Sequence, residues 1–314
     1  MSETANLKRS AALASIAVAV FLVLLKVWAA WSTNSVAMLG SLADTALDLV
    51  ASLATFAGVW VAARPADEKH RFGHGKAEAI AAMFQVVLIS ISALAIAAQS
   101  IDRFVAGTRT EAAAQGIGVS LVAIAVTLAL LAWQRRVISR TGSIAIEADH
   151  VHYQSDLLLN LAVIAALALD QFAGLAGADP LFGFAVALWL AFGAWRASHR
   201  AIEQLMDHEW PEPEKARLLD AIARNPDLRG VHDLRTRTSG DRDFVQFHVW
   251  VDPDMSVRDA HVVMDDIEER LLIEFPDVEI LIHPDPEGLI DEEGIAAKDV
   301  LPTEADVAAR VRRP

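Results

Sequence analysis

The stretch Val36–Ala63, VAMLGSLADTALDLVASLATFAGVWVAA, decides the class of fold. Its apolar run of 28 residues is interrupted by only two charged residues, Asp44 and Asp48. A helix crosses the hydrocarbon core of a bilayer in about 20 apolar residues, so this stretch predicts a membrane span. Ionisable side chains at that depth are costly to insert and mark functional sites. The stretch therefore predicts a membrane protein with a polar site inside the bilayer.

Five more apolar runs complete a predicted set of six spans with short connections. The predicted spans cover residues 11–31, 36–63, 77–104, 116–137, 144–170 and 181–201. The fifth is the least apolar at its start, where Glu147 and Asp149 lie. The first is too long for the apolar segment of a signal peptide, which is the alternative interpretation. Inside the first span, Lys26 either extends to the membrane interface or pairs with a carboxylate.

Basic residues are concentrated on one side of the predicted spans. They precede the first span as Lys8 and Arg9, occur throughout the 64–76 connection and reappear at 135–140. Membrane proteins keep an excess of Lys and Arg on the cytoplasmic side. We therefore expect a multi-pass membrane protein with both termini in the cytoplasm.

Charge is divided unevenly along the chain. From His208 onward there are 26 Asp and Glu residues against 13 Lys and Arg, whereas the preceding residues hold 15 and 14. An acidic chain lacks the basic surface that replaces counterions on phosphates, so nucleic-acid binding is not expected. Because the chain has no cysteine, neither disulfides nor thiolate metal sites are available.

The acidic part is predicted to form a small α+β domain with the element order αββαβ. Residues 213–224 and 257–275 have helical character, while 229–238, 244–251 and 278–283 are predicted strands. Ser239–Asp241 forms the hairpin turn between the first two strands. The predicted domains are a six-helix membrane domain at 1–208, a cytoplasmic domain at 209–288 and a disordered tail at 289–314.

Two pairs of candidate metal ligands lie at the same spacing in the membrane part. Asp44 and Asp48 are four residues apart in the second span, as are His152 and Asp156 in the fifth. In a helix this spacing puts both side chains on one face, with Cβ atoms about 5–6 Å apart. Three carboxylates and one imidazole make a tetrahedral set that suits Zn²⁺ and also accepts Cd²⁺ or Fe²⁺. The alternative is that these residues only hydrogen-bond the helices together.

Repulsion within this set suggests how transport is driven. Clustered carboxylates repel one another unless protons or a cation neutralise them. Metal ligands must be deprotonated, so a divalent cation displaces protons from such a site. A site exposed alternately to the two sides of the membrane would therefore exchange metal for protons.

Two further groups of candidate ligands lie outside the predicted spans. Asp67, His70 and His74 lie in the 64–76 connection, where the alternative is a solvated charged loop. The acidic part carries the second group on its predicted strands and second helix, and there the alternative is a set of scattered surface residues. This second group comprises His232, His248, His261, His283 and Asp285.

Several stretches together resemble the cation diffusion facilitator family, and most closely its bacterial zinc and ferrous-iron efflux subgroup. They are the two D/H-x-x-x-D pairs, PADEKHRFGHGKAE (Pro65–Glu78), ADHVHYQSD (Ala148–Asp156) and HDLRTRTSG (His232–Gly240). The resemblance extends in order from about Lys8 to Pro286. It implies a homodimer in which each protomer has six membrane helices and a cytoplasmic domain similar to a small metallochaperone.

The resemblance also implies roles for the candidate residues. The four membrane ligands would form the transport site, and Asp67, His70 and His74 a loop site. The five candidates of the acidic part would form a regulatory two-metal site at the dimer interface. Lys76 and Asp207 match a charged interlock between protomers.

These observations predict a secondary transporter rather than an enzyme. It would export a divalent transition metal, zinc first and cadmium or iron second, in exchange for protons. One rival is a membrane metal sensor without flux. The other is an intramembrane metallohydrolase, which would need an open coordination position; four protein ligands leave none, and no H-E-x-x-H motif occurs.

Overall fold

The computed structural model of this chain describes residues 3–33, 36–106, 117–173, 178–224, 230–287 and 299–301. They divide into two compact units, Met1–Leu205 and Met206–Pro314. The regular elements described in the first unit are all helices, whereas the second unit combines helices with a sheet.

Six long helices form the first unit. They are α1 (Glu3–Thr33), α2 (Val36–Ala62), α3 (Ala77–Ala106), α4 (Ile117–Thr141), α5 (Ile144–Ala173) and α6 (Ala178–Leu205). Large apolar side chains such as Leu24, Trp28 and Leu94 are exposed on their outer faces. Exposed apolar surface of this extent is typical of helices that contact lipid. The predicted helices are therefore present, and the chain is a multi-pass membrane protein.

Among the described residues, α1, α2, α3, α4 and α6 are long and apolar enough to cross a membrane. Helix α5 is equally long but carries Glu147, Asp149 and Asp156 in its first half. Its crossing, and hence the count of six spans, stays a prediction.

The helices pack in layers that place α2 and α5 in the middle. Helix α3 packs most extensively against α6, and both contact α5. On the other side, α1 packs against α2 and α4, and α4 packs against α5. Helix α1 begins before the predicted Ala11 because Lys8 is buried in an ion pair with Glu78, which gives the charged N-terminal turns a place in the bundle.

The second unit contains α7 (Glu212–Ala223), β1 (Gly230–Ser239), β2 (Arg242–Val251), α8 (Val257–Glu274), β3 (Val278–Pro286) and β4 (Asp299–Leu301). The sheet order is β3-β2-β1-β4, with β2 and β3 parallel and the other pairs antiparallel. The predicted order αββαβ is confirmed. Strand β4 was not predicted, because three residues beyond a polar segment show no periodicity. Residues 288–298 and 302–314 of the predicted tail lie outside the described residues.

The sheet has one face covered by helices and one face that carries the histidines. Alternate β2 residues, Val245, Phe247 and Val249, are buried in a core that α7 and α8 share. Because successive side chains of a strand point to opposite faces, His248 and Trp250 lie on the other face. Ser256 caps α8, since its hydroxyl accepts a hydrogen bond from the backbone N–H of Asp259.

Candidate metal centres

Three membrane candidates come together between α2 and α5. His152 Nε2 lies 3.0 Å from Asp48 Oδ1. One ligand atom from each of Asp48, His152 and Asp156 lies within 4.8 Å of the others. Helical spacing explains the geometry, since His152 and Asp156 share one face of α5 and that face meets α2. This cluster is called the membrane cluster below.

Helix geometry places the membrane cluster deep in the unit. Asp48 is about 18 Å along α2 from Val36 and about 21 Å from Ala62, at 1.5 Å per residue. His152 is 6% exposed, and its Nδ1 is buried with no hydrogen-bond partner among the described residues. The imidazole therefore has a nitrogen left for a further ligand or proton.

The fourth membrane candidate, Asp44, lies one turn before Asp48 in α2, but its side chain lies outside the described residues. The adjacent Thr45 accepts a hydrogen bond of 2.5 Å from Lys26 Nζ on α1. Lys26 therefore contacts α2 through a hydroxyl group, and the choice between its two alternatives stays a prediction.

A cavity of about 410 Å³ begins at the membrane cluster. Asp48, His152 and Asp156 lie on its wall. Its α3 side runs from Leu88 to Arg103, towards the end of that helix. The polar side chains on this side are Ser92, Gln99, Ser100 and Arg103. The cavity thus extends from the cluster along the second half of α3.

The loop candidates also come together, in the connection between α2 and α3. Asp67 Oδ1 accepts hydrogen bonds from the backbone N–H groups of His70 and Lys69, at 2.7 and 2.9 Å. His74 Nε2 lies 3.4 Å from Asp67 Oδ2, and the two imidazole rings are 4.4 Å apart. The bond from the His70 amide is the main reason that the pKa of the Asp67 carboxyl is lowered. The carboxylate is thereby kept in the form that binds metal.

Four candidates of the second unit meet on the open face of the sheet. His232, His248 and His283 occupy one register row across β1, β2 and β3. Asp285 Oδ2 lies 3.0 Å from His232 Nε2 and 2.8 Å from His248 Nδ1, while its Oδ1 lies 3.2 Å from His283 Nε2. One carboxylate therefore contacts all three imidazoles. These four residues are called the sheet cluster.

His261 does not join the sheet cluster within one chain. It lies on α8, is exposed, and has Nδ1 3.3 Å from Asp265 Oδ1. The expectation that α8 delivers it to the strand histidines is wrong for a single chain, because α8 covers the opposite face of the sheet. Any role for His261 at that cluster therefore requires a second copy of the chain.

The two residues of the predicted interlock are each bonded within their own unit. Lys76 Nζ donates to the Leu205 carbonyl at 3.1 Å. Asp207 has a positive φ of 54° and lies 3.4 Å from Arg237. Their pairing between protomers stays a prediction.

Sequence reasoning missed Asp149, which is fully buried in α5. Its Oδ2 accepts hydrogen bonds from Ser15 on α1 at 2.6 Å and Gln134 on α4 at 2.7 Å, and its Oδ1 accepts from Gln85 on α3 at 3.1 Å. The carboxylate thus connects four helices. The available signal was an acidic residue inside a predicted span, three residues before His152.

Two family models match the chain over most of its length. Residues 12–206 match the model described as "Cation efflux transmembrane domain", and residues 210–287 match "Cation efflux protein, cytoplasmic domain", whose short name is ZT_dimer. Together with the three clusters, these matches define a metal-cation efflux protein with a membrane part and a cytoplasmic part. The chain belongs to the cation diffusion facilitator family.

Curated relatives match across almost the whole chain. The cation-efflux pump FieF of Cronobacter sakazakii is 40% identical over 276 residues, which is 88% of this chain and 92% of the relative. FieF of Yersinia pestis (strain Pestoides F) is 40% identical over 285 residues, 91% of this chain and 95% of the relative. Among solved structures, the metal-bound C-terminal domain of the CzcD transporter from Thermotoga maritima is 28% identical with a TM-score of 0.25, covering 26% of this chain and all of that domain.

Proposed function

We propose that this cation-efflux protein exports Zn²⁺ from the cytoplasm in exchange for protons, with Cd²⁺ and Fe²⁺ as further substrates. The observation that carries this proposal is the membrane cluster, in which Asp48, His152 and Asp156 bring their ligand atoms within 4.8 Å of one another. The relatives named as cation-efflux pumps supply the outward direction and argue for a transporter rather than an enzyme.

Zinc is favoured by the donor set. Asp48 and Asp156 supply oxygen and His152 supplies nitrogen, and Asp44 on the same helix as Asp48 is the proposed fourth ligand. An imidazole with carboxylates suits Zn²⁺, while the oxygen majority also accepts Cd²⁺ and Fe²⁺. Such a set is a poorer match for Mg²⁺, which keeps several waters and prefers oxygen ligands.

Proton exchange follows from the same atoms. His152 Nε2 and Asp48 Oδ1 are 3.0 Å apart, so a protonated group in this pair can donate to its partner. A metal ion needs both groups deprotonated, so its arrival releases protons and protonation releases the metal. Alternating exposure of the cluster then couples metal efflux to proton entry.

The remaining clusters fit a homodimer with both termini in the cytoplasm of an inner-membrane protein. The name of the second family model refers to a dimer, and the sheet cluster lies on a face of the sheet that α7 and α8 leave open. Metal bound there would offset repulsion between two acidic domains and draw them together. The loop cluster, at Asp67, His70 and His74, is a second proposed zinc site on the same side of the membrane.

Metal uptake by proteoliposomes under an imposed pH gradient tests the proposal. Zn²⁺, Cd²⁺, Fe²⁺ and Mn²⁺ are compared, and uptake of zinc with matched proton movement is expected. Asp48→Ala should abolish it, while Asp102→Ala, an exposed acid outside the cluster, should not. Zinc binding without flux would leave the sensor as the function. Flux that is unchanged by Asp48→Ala would refute the proposed site.

A further inference from the structure

Helix α3 has two halves with opposite surroundings. Its buried residues are concentrated in the first half, where they include Glu78, Ala82 and Gln85. From Leu88 to Arg103, the same helix lines the cavity that begins at the membrane cluster. The described residues therefore pack tightly beside the start of α3, and a cavity lies beside its second half.

An ion pair closes the bundle at the start of α3. Lys8 on α1 and Glu78 on α3 are each 3% exposed, and Lys8 Nζ lies 2.7 Å from Glu78 Oε1. The other carboxylate oxygen accepts a 2.5 Å hydrogen bond from Ser143, which is the residue before α5. A buried charge without its partner is costly, so these three residues hold the ends of α1, α3 and α5 together.

A second set of contacts lies two turns further along the same face of α3. Gln85 Nε2 lies 3.0 Å from the Ala51 carbonyl, 2.9 Å from Thr55 Oγ1 and 3.1 Å from Asp149 Oδ1. Gln85 is fully buried and thus connects α3 to α2 and α5. The membrane cluster lies beyond this level, since Asp48 precedes Thr55 by two turns of α2.

Between the two levels, the backbones of α2 and α3 approach each other closely. A Cβ atom on Gly58 of α2 would lie 2.3 Å from the Cβ of Ala81 on α3. Helices approach this closely only where a glycine faces the neighbouring helix. Ala81 lies between Glu78 and Gln85 in sequence, so packing and polar contacts close the same interface.

We propose that Glu78 and Gln85 are positioning residues for transport: their contacts with Lys8, Ser143 and Asp149 close the cytoplasmic route to the membrane cluster, and metal loading requires these contacts to break. This inference rests on the proposed orientation, in which the start of α3 faces the cytoplasm. Among the described residues, the cavity at the cluster lies along the opposite half of α3. Loss of the closing contacts favours the conformation open to the cytoplasm, because water can then hydrate the unpaired Lys8.

Thiol labelling of the full chain in oriented membrane vesicles tests this proposal, since the natural sequence has no cysteine. Ser52→Cys places a fully buried reporter on α2 between Gln85 and the membrane cluster. Ser92→Cys places a second reporter on the cavity wall. A charged, membrane-impermeant methanethiosulfonate is added from either side without metal. We expect Ser92→Cys to react from the outer side and Ser52→Cys to be protected from both.

Glu78→Gln should reverse this pattern. Ser52→Cys is expected to react at least about tenfold faster from the cytoplasmic side, while the rate at Ser92→Cys falls from the outer side. The exchanged pair Lys8→Glu with Glu78→Lys restores the buried ion pair and should restore both rates. A substitution that only destabilises the fold would instead raise the labelling rates of both reporters from both sides. The exchanged pair would then not change the two rates in opposite directions.

Gln85→Leu provides an independent variant because it removes the second set of contacts while Lys8 stays paired with Glu78 and Asp149 keeps its bonds from Ser15 and Gln134. Like Glu78→Gln, it should raise the labelling rate of Ser52→Cys from the cytoplasmic side and lower that of Ser92→Cys from the outer side. It also tests the proposal if Glu78→Gln prevents folding. Unchanged rates in the folded variants, or rapid cytoplasmic labelling of Ser52→Cys in the parent, would overturn the proposal. Labelling needs neither metal nor flux, so its outcome is separate from that of the uptake experiment. Labelling of Ser92→Cys from the cytoplasmic side would also overturn the proposal, because the cavity would then face the cytoplasm.

Discussion

His232 on β1 and Trp250 on β2 stack face to face, with ring centroids 4.0 Å apart and an interplanar angle of 16°. At the edge of the same imidazole, Nε2 lies 3.0 Å from Asp285. His232 is 3% exposed, and its Nδ1 has no hydrogen-bond partner among the described residues. The indole thus fixes the plane of the ring, while Asp285 fixes which nitrogen faces the sheet cluster.

This stacking predicts that Trp250 supports metal binding and reports it. Zinc at the sheet cluster should change the emission of Trp250, because the ligand ring contacts the indole. Trp250→Leu removes the flat support and should weaken zinc binding at this cluster about 10–100-fold, the usual effect of residues that orient metal ligands. Trp250→Phe should retain most of the affinity. Calorimetric titration of the full chain with Asp48→Ala measures the effect.

Trp210 provides the matched control. It lies in the same unit, packed against Phe275 in the core on the helix-covered side of the sheet. Trp210→Phe should therefore leave both the zinc affinity and the zinc-dependent change in emission unaltered. An equal loss of affinity in Trp210→Phe and Trp250→Leu would show that general destabilisation, rather than ring support, is responsible.

Metal selectivity at the membrane cluster should depend on its single nitrogen ligand. His152→Asp leaves an all-oxygen set, which suits Mn²⁺ and Mg²⁺ better than Zn²⁺. We expect zinc uptake to fall by at least about tenfold and the Mn²⁺ to Zn²⁺ ratio to rise, because imidazole is the donor that favours zinc over harder ions. Competition uptake in proteoliposomes measures this ratio.

His150→Asp adds the same charge two residues away on α5. The His150 ring contacts Gln134 and lies outside the membrane cluster. This variant should keep the parental selectivity. If both substitutions change the Mn²⁺ to Zn²⁺ ratio equally, the added negative charge decides selectivity and the coordination argument is wrong.

Local periodicity accounts for what could be predicted from the sequence. The four-residue spacing of His152 and Asp156 puts both on one face of α5. Alternation along β2 puts His248 and Val249 on opposite faces of the sheet. Contacts between distant residues have no such signal. Lys8 and Glu78 are separated by 70 residues, and nothing local to either indicates that they form a buried pair. For His261 the sequence suggested a contact that one chain does not make. Its position on α8 does not indicate which face of the sheet that helix covers.

The pH dependence of the cytoplasmic unit should contain a contribution from Asp243. Burial raises the pKa of this carboxyl above its ordinary value of 3.8, despite the hydrogen bond that it accepts from Thr238. The folded state therefore holds this proton to higher pH than the unfolded chain does. Its contribution to stability is greatest below pH 3.8 and declines as the pH rises through the folded-state pKa.

Asp243→Asn should consequently stabilise the unit at pH 7. The amide oxygen can still accept from Thr238, whose Oγ1 lies 2.6 Å from Asp243 Oδ1. The gain should be less than about 1 kcal/mol, because the side chain is partly exposed and solvent screens its charge. It should shrink as the pH is lowered towards 4. Hydrogen exchange at β1 and β2 measures this gain in stability, and Asp254→Asn at an exposed position is the control. A larger gain at pH 4 than at pH 7 would contradict a raised pKa for Asp243.

Zinc-dependent association of the cytoplasmic units should require His261. Within one chain this residue is exposed on α8, which covers the other face of the sheet from the sheet cluster. In that cluster Asp285 contacts His232, His248 and His283. If a second protomer supplies it, His261→Ala should leave binding of the first zinc ion nearly unchanged and weaken zinc-induced dimerisation about tenfold or more.

Two interventions separate this bridging from simple charge neutralisation. High salt screens repulsion between the acidic units and should promote dimerisation equally in the parent and in His261→Ala. Zinc should discriminate between them, because only the parent can complete a ligand set across the interface. His208→Ala, an exposed histidine outside all three clusters, should behave as the parent. Sedimentation of the full chain in detergent, with and without zinc, measures the dimer fraction. If His261→Ala dimerises with zinc as the parent does, zinc promotes dimerisation only by neutralising charge.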